Sequence, residues 1–157
     1  MTDFRRLLEA LVGERVAFVI VGGVAMIAHG FTRLTEDLDI CYERSLDNLE
    51  RLTRALAPLH PTLRGAPRGL PFVLDARTLK AGLNFTLESD AGDIDLLGEL
   101  AGVGMYQQVA PDALPLEIYG YQVKVISLEM LELAKRAAGR SKDLADLEAI
   151  REIKKRR

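Results

Sequence analysis

VGGVAMIAHGFTRLTEDLDI, residues 21–40, is the stretch whose reading decides the fold. It is entered from a short, continuous apolar run over residues 16–21, rich in β-branched side chains, which reads as a buried strand. Gly22 and Gly23 break that run. VAMIAHG, which follows, is apolar without a two-residue period and reads as a short helix entered directly from the glycine turn and ended by Gly30. A polar connection, FTRLTE, leads into DLDICYE, where Asp37, Asp39 and Cys41 alternate with Leu38, Ile40 and Tyr42. The alternation predicts a second strand that projects both aspartates from one face.

Working outward, residues 2–12 place Phe4, Leu7, Leu8 and Leu11 at helical spacing, with Asp3 at the start and Gly13 at the end. SLDNLERLTRAL, residues 45–56, predicts an amphipathic helix capped by Ser45, with Leu46, Leu49, Leu52 and Leu56 on one face and Pro58 and Pro61 terminating it. From there to about Pro71 the glycines and prolines read as a loop, and a loop of that length is unusual unless functional or mobile. DARTLKAG gives a helical turn, and residues 84–97 a hairpin turning around residues 89–92. GVGMYQQVAPDALPLEIYG, residues 102–120, yields no assignment beyond loop-rich. YQVKVISL is a further strand, and residues 127–154 are helical with a break near Gly139 and Ser127 as cap. One α+β domain over residues 1–157, a short mixed sheet flanked by helices, is the expected architecture.

Composition narrows the function. Hydrophobic residues at 48% and charged residues at 28% are those of a globular chain. A net charge of -2 argues against gripping nucleic acid along a long track, although Arg151, Lys154, Lys155, Arg156 and Arg157 form a local basic run that also suits a solvated helix end. The single cysteine, Cys41, permits no internal disulfide and reads as a small core residue. Charges at Asp3, Arg5, Arg6 and Glu9 interrupt any signal-peptide core, and no apolar run approaches the ~18 residues of a membrane span, so a cytoplasmic, non-membrane protein is expected.

Three features carry chemistry. A strand ending in Gly22-Gly23 and feeding a helix suits close backbone approach to phosphate, and equally suits a plain tight turn. Asp37 and Asp39, side by side on a strand, repel unless a cation sits between them; Mg²⁺, a hard ion, takes such oxygen ligands together with substrate phosphates. The plainer reading is a solvated edge strand. Asp93 and Asp95 repeat the spacing in GDIDLLG; if the two strands are neighbours, three carboxylates share one site, while Asp93 also suits a turn.

In order and spacing these residues resemble the DNA polymerase beta-like nucleotidyltransferase superfamily: a glycine turn at Gly22 and Gly23, then Asp37-x-Asp39, then a third carboxylate at Asp95. The tail SLEMLELAKRAAGRSKDLADLEAI is similar to that of the AbiEii-type branch, with Lys135, Lys142, Asp143 and Asp146 on its motif positions. The resemblance spans residues 16–150 and implies the nucleotidyltransferase fold with its site at one sheet edge. It implies transfer of a nucleoside monophosphate from an NTP to an acceptor hydroxyl, with catalytic and metal-binding Asp37, Asp39 and Asp95 holding two Mg²⁺ ions. Gly22, Gly23, Arg33, Thr35 and Lys135 are the nucleotide-binding candidates. For Arg33 a surface cation, and for Lys135 a salt bridge with Glu132 or another acid, stand as alternatives. Many active relatives carry serine where this chain has Gly23. The resemblance leaves the acceptor open among a protein side chain, a small molecule and an RNA 3′ end, and the branch implies a toxin with an antitoxin partner. The rival expectation is a non-catalytic nucleotide-binding or protein-partner module that retains the fold.

Overall fold

The computed structural model describes residues 1–67 and 69–156; Arg157 of the basic run lies outside them. In chain order the main elements are α1 (Phe4–Gly13), β1 (Phe18–Val21), α2 (Gly22–Ala28), β2 (Asp37–Tyr42), α3 (Leu46–Leu56), β3 (Thr62–Leu63), α4 (Ala76–Ala81), β4 (Asn84–Ser89), β5 (Gly92–Leu97), β6 (Glu99–Leu100), β7 (Gly104–Met105), α5 (Tyr106–Val109), β8 (Leu114–Ile118), β9 (Tyr121–Val125), α6 (Leu128–Ala138) and α7 (Ser141–Arg156). Seven strands form one mixed sheet in the order β3-β4-β5-β2-β1-β9-β8. The fold is α+β, as expected, with helices packed around that sheet.

Local sequence sets most of these boundaries. Asp3, Ser45, Asp75 and Ser127 each accept a hydrogen bond from the backbone N–H three residues on, satisfying an orphan donor at the start of α1, α3, α4 and α6. Gly139, at φ 61°, closes α6 in the left-handed conformation that a side chain disfavours. Leu7, Leu8 and Leu11 of α1 and Leu49, Leu52 and Leu56 of α3 are fully or almost fully buried, each worth about 2 kcal/mol in area removed from water. Leu46 is exposed, which narrows the expected apolar stripe of α3. In its place the buried Asn48 ties α3 to the sheet: its amide donates to the carbonyls of Ala17 and Glu43 and accepts from the Ala17 N–H.

β1 is buried along its whole length because it lies between β2 and β9 in mid-sheet. It runs antiparallel to β2 and parallel to β9, while β2 and β5 run parallel with Asp37 opposite Asp93 and Asp39 opposite Asp95. The carboxyl end of β1 therefore meets the amino ends of β2 and β5 at one sheet margin.

Two expectations fail here. Residues 57–71 are not all loop: a 3₁₀ turn at Ala57–Leu59 accommodates Pro58, and β3 pairs with β4 at the sheet edge. The unassigned residues 102–120 hold β8, which forms a hairpin with β9 through Tyr119 and Gly120, both at positive φ. Pro115 on β8 hid that strand, yet an edge strand tolerates a missing N–H.

Candidate metal and nucleotide site

At the margin where β1 ends and β2 and β5 begin, Asp37, Asp39 and Asp95 each offer a carboxylate oxygen, all within 4.8 Å of one another. The parallel register delivers this convergence, since Asp39 and Asp95 sit on one rung of the sheet and Val21 opposes Asp39 from the other side. Gly22 follows at φ 67°, and a Cβ built there would lie 2.0 Å from Asp39 Oδ2. The left-handed turn and the close approach of the carboxylate both require glycine at this position. At Gly23 a Cβ would lie 2.6 Å from Thr35 Oγ1, so the Thr35 hydroxyl occupies the space that a serine side chain at position 23 would enter. Thr35 itself donates to the Asp37 carbonyl.

These acids are poorly compensated. Burial, followed by the Asp37 and Asp95 carboxylates, pushes the Asp39 carboxyl up to about 8 against the opposing pull of Lys135. Asp95 is also raised, chiefly by burial, although the Arg64 guanidinium draws it down. Among the described residues the buried side-chain polar atoms without a hydrogen-bond partner are Asp39 Oδ1, Asp95 Oδ1 and Arg64 Nε, all in this cluster. Native interiors leave few such atoms, so their collection in one place makes this cluster the candidate site. An all-oxygen donor set with unspent lone pairs fits a hard divalent cation such as Mg²⁺.

Arg64, which the sequence reading passed over, stands directly after β3 and reaches into the cluster. Its Nη2 lies 2.9 Å from Asp95 Oδ1, in a direction that makes no hydrogen bond, its Nε 3.4 Å from Asp93 Oδ2, and its Nη1 3.8 Å from Asp37 Oδ2. Asp93 thus faces Arg64 and stands outside the converging trio.

Beside the trio opens a cleft of about 140 Å³, lined by Gly22 and Asp39 on the sheet side and by Leu131, Lys135, Arg140 and Asp143 on the helix side. Lys135 is only 7% exposed and pairs with Asp143 at 3.3 Å and Asp146 at 2.9 Å. The alternative of a salt bridge with Glu132 or another acid is met by these two aspartates and not by Glu132, which takes Arg136 and Lys154. Arg33 binds Asp146 at 2.7 Å, so it joins the same network and is no free surface cation. Arg140, also unforeseen, grips Asp143 through Nε at 2.6 Å and faces the cleft. A larger hollow of about 440 Å³ near Val12 and Lys124 gathers no acids and lies apart from the trio.

The two histidines and the cysteine stand elsewhere. His29 ends α2 and bonds the Ile126 carbonyl through Nε2, His60 pairs with Asp90, and Cys41 is buried, its thiol pushed up to about 11 by desolvation.

No family model and no curated protein matches the chain. Among solved structures it is similar to the crystal structure of "a putative nucleotidyltransferase" from Thermotoga maritima, with a TM-score of 0.58 and 17% identity over 98% of this chain and 91% of that one. At that identity the likeness is one of fold: the chain has the architecture of a nucleotidyltransferase, and its carboxylate trio is built on that frame.

Proposed function

We propose that the chain is a single-domain, Mg²⁺-dependent nucleotidyltransferase that moves a nucleoside monophosphate from an NTP to an acceptor hydroxyl. One observation carries the reading: among the described residues, two of the three buried polar atoms left without hydrogen bonds belong to acids that converge from two strands, beside a glycine whose missing side chain makes room for them. Asp37, Asp39 and Asp95 would hold the divalent ions, two in the family's scheme, and Asp95 would orient the acceptor oxygen. When bound, the ions neutralise the triphosphate and polarise the reacting oxygens. Lys135 and Arg140 line the cleft beside them and suit the polyphosphate, with Arg33 held in reach through Asp146. Gly22 and Gly23 offer backbone N–H groups at the start of α2, where no side chain caps the helix. The new bond joins the acceptor oxygen to the α-phosphorus as the bond to pyrophosphate breaks, and the fixed groups act by position and charge.

The AbiEii-type tail, an antitoxin partner and a toxin role belong to the same proposal and rest on the motif Lys135, Lys142, Asp143, Asp146 alone, and a cytoplasmic location belongs to it through the charges at Asp3, Arg5, Arg6 and Glu9. No described helix is long and apolar enough to cross a membrane. A non-catalytic nucleotide-binding or partner-binding module is the second reading, and Arg64 favours it because a cation already stands among the acids.

Thermal stability with NTPs, with and without Mg²⁺, separates the two, using the native chain and Asp39→Asn. Saturation at ~100 times the dissociation constant should add about 2.7 kcal/mol to the native chain and nothing metal-dependent to the variant. Absence of any metal-dependent shift would sink the enzyme reading. A shift without transfer of labelled nucleotide to any extract component would leave the binding module standing.

A further inference from the structure

Arg64 belongs to the same rung of the sheet as the two central acids. Its backbone N–H donates to the Thr86 carbonyl, Thr86 opposes Asp95, and Asp95 opposes Asp39. From the sheet edge the guanidinium reaches back over β4, where Nη2 donates to the Leu87 carbonyl at 2.8 Å, and approaches three different carboxylates.

This is a compromise for both parties. A guanidinium is a rigid planar fork suited to the two oxygens of one carboxylate. Spread over Asp37, Asp93 and Asp95 it leaves its own Nε, Asp95 Oδ1 and the neighbouring Asp39 Oδ1 without hydrogen bonds. A divalent ion carries twice the charge and takes oxygen ligands from more than one carboxylate. The anchorage of Arg64 also divides cleanly. The backbone is fixed by pairing to β4, while the next residue, Gly65, stands at φ 78° with open space where a Cβ would be. The edge pairing does not depend on the guanidinium, whose own hydrogen bond runs to the Leu87 carbonyl, so the side chain can leave the acids without unpairing the edge strand.

We infer that Arg64 is a resident counter-cation at Asp37 and Asp95 of the Asp37–Asp39–Asp95 cluster, which a divalent ion must displace in order to bind. The inference rests on the metal-site reading above and adds to it a competitor within the chain. Arg64 holds the acids together while no metal is bound, and the cost of expelling it weakens the intrinsic affinity of the site.

Calorimetric titration of Mn²⁺ alone into native protein, Arg64→Gln, Arg64→Lys and Asp39→Asn tests it. Removing a full positive charge at this range should tighten Mn²⁺ binding by about ten-fold in Arg64→Gln. Arg64→Lys, which keeps the charge on a more mobile head, should fall between that variant and the native protein. In the native protein the Arg64 Nε–H resonance should move on addition of Mg²⁺, with the same midpoint as metal binding. Equal or weaker Mn²⁺ binding by Arg64→Gln, or an Arg64 resonance that ignores Mg²⁺, overturns the inference while leaving the metal site intact. Mn²⁺ binding that is absent throughout, or unaffected by Asp39→Asn, overturns the metal site and the inference together. If Arg64→Gln fails to fold by circular dichroism, the Lys variant and the resonance decide the question.

Discussion

Asp143 and Asp146 on α7, and Asp37, Asp39 and Asp95 on β2 and β5, are two sets of acids withdrawn from water, and they are compensated in opposite ways. Burial pushes the Asp143 and Asp146 carboxyls up, but hydrogen bonds from Arg140, Lys135 and Arg33 more than offset it and hold both below the usual carboxylate range. At the strand margin the same burial goes largely unanswered: Asp39 rises to about 8, and oxygens of Asp39 and Asp95 have no hydrogen-bond partner. Both clusters are similarly acidic and neighbour the same cleft. What separates them is satisfaction: the α7 acids hold their cations through hydrogen bonds, whereas Arg64 stands among the strand acids and leaves oxygens of Asp39 and Asp95 without one.

Removing Asp143 should break this contrast most severely. Asp143 is fully buried and bonds both Lys135 and Arg140, so Asp143→Ala leaves Lys135 in the interior with half its compensation. Loss of about 3 kcal/mol is expected, read as the midpoint of denaturant unfolding. An unchanged midpoint would mean that the α7 acids are no more structural than the strand acids.

The pH dependence sharpens the comparison. Between its ordinary value of 3.8 and about 8, folded Asp39 keeps a proton that the unfolded chain has released, so this group makes stability fall as pH rises. In metal-free buffer, Asp39→Asn should flatten that slope and exceed the native protein by about 2 kcal/mol at pH 8, an amount reduced for residual solvation. For Asp143 and Asp146, with lowered values, the sign reverses: their stabilisation is present above the ordinary carboxylate value and is lost as pH falls below it. Equal denaturation midpoints for native protein and Asp39→Asn across pH 5 to 8 would erase the distinction.

The smallest effect belongs to Lys154→Ala. Lys154 meets Glu132 at 2.8 Å, as short a contact as several within the buried network, but its side chain is 39% exposed. Exposed pairs are worth little, and a change within about 0.5 kcal/mol is expected in the same unfolding assay. A larger loss would show that distance, and not burial, ranks the ion pairs of α6 and α7.

Much of the fold was legible because local rules act within a few residues. Ser45, Ser127 and Gly139 mark helix ends by their own chemistry, and the alternation of DLDICY against GDIDLL sets both acid-bearing strands. The pairing of β2 with β5 was legible only as a condition, since neither strand's pattern names its neighbour. β3 and β8 were missed because short edge strands need little apolar alternation and tolerate proline beside or within them. Arg64 was missed with β3: nothing about an arginine before Gly65 says that it lies on the rung of Asp95, a relation made by two successive antiparallel pairings. Arg140 follows the helix-ending glycine and acquires meaning only when α7 folds back on α6. Asp143 and Asp146 were legible as a motif, and their cations emerged from packing.

The parallel union of β2 and β5 has one last consequence. Asp95 faces Asp39 because of its phase along β5, with Ile94 and Leu96 directed to the opposite, fully buried side. Deleting or inserting one residue between the Asp90–Ala91 corner and Asp95 would exchange acid for hydrocarbon at the margin while leaving composition almost unchanged. Replacement of side chains leaves that phase untouched, whereas a change in chain length across these few positions meets a parity rule with no partial solutions.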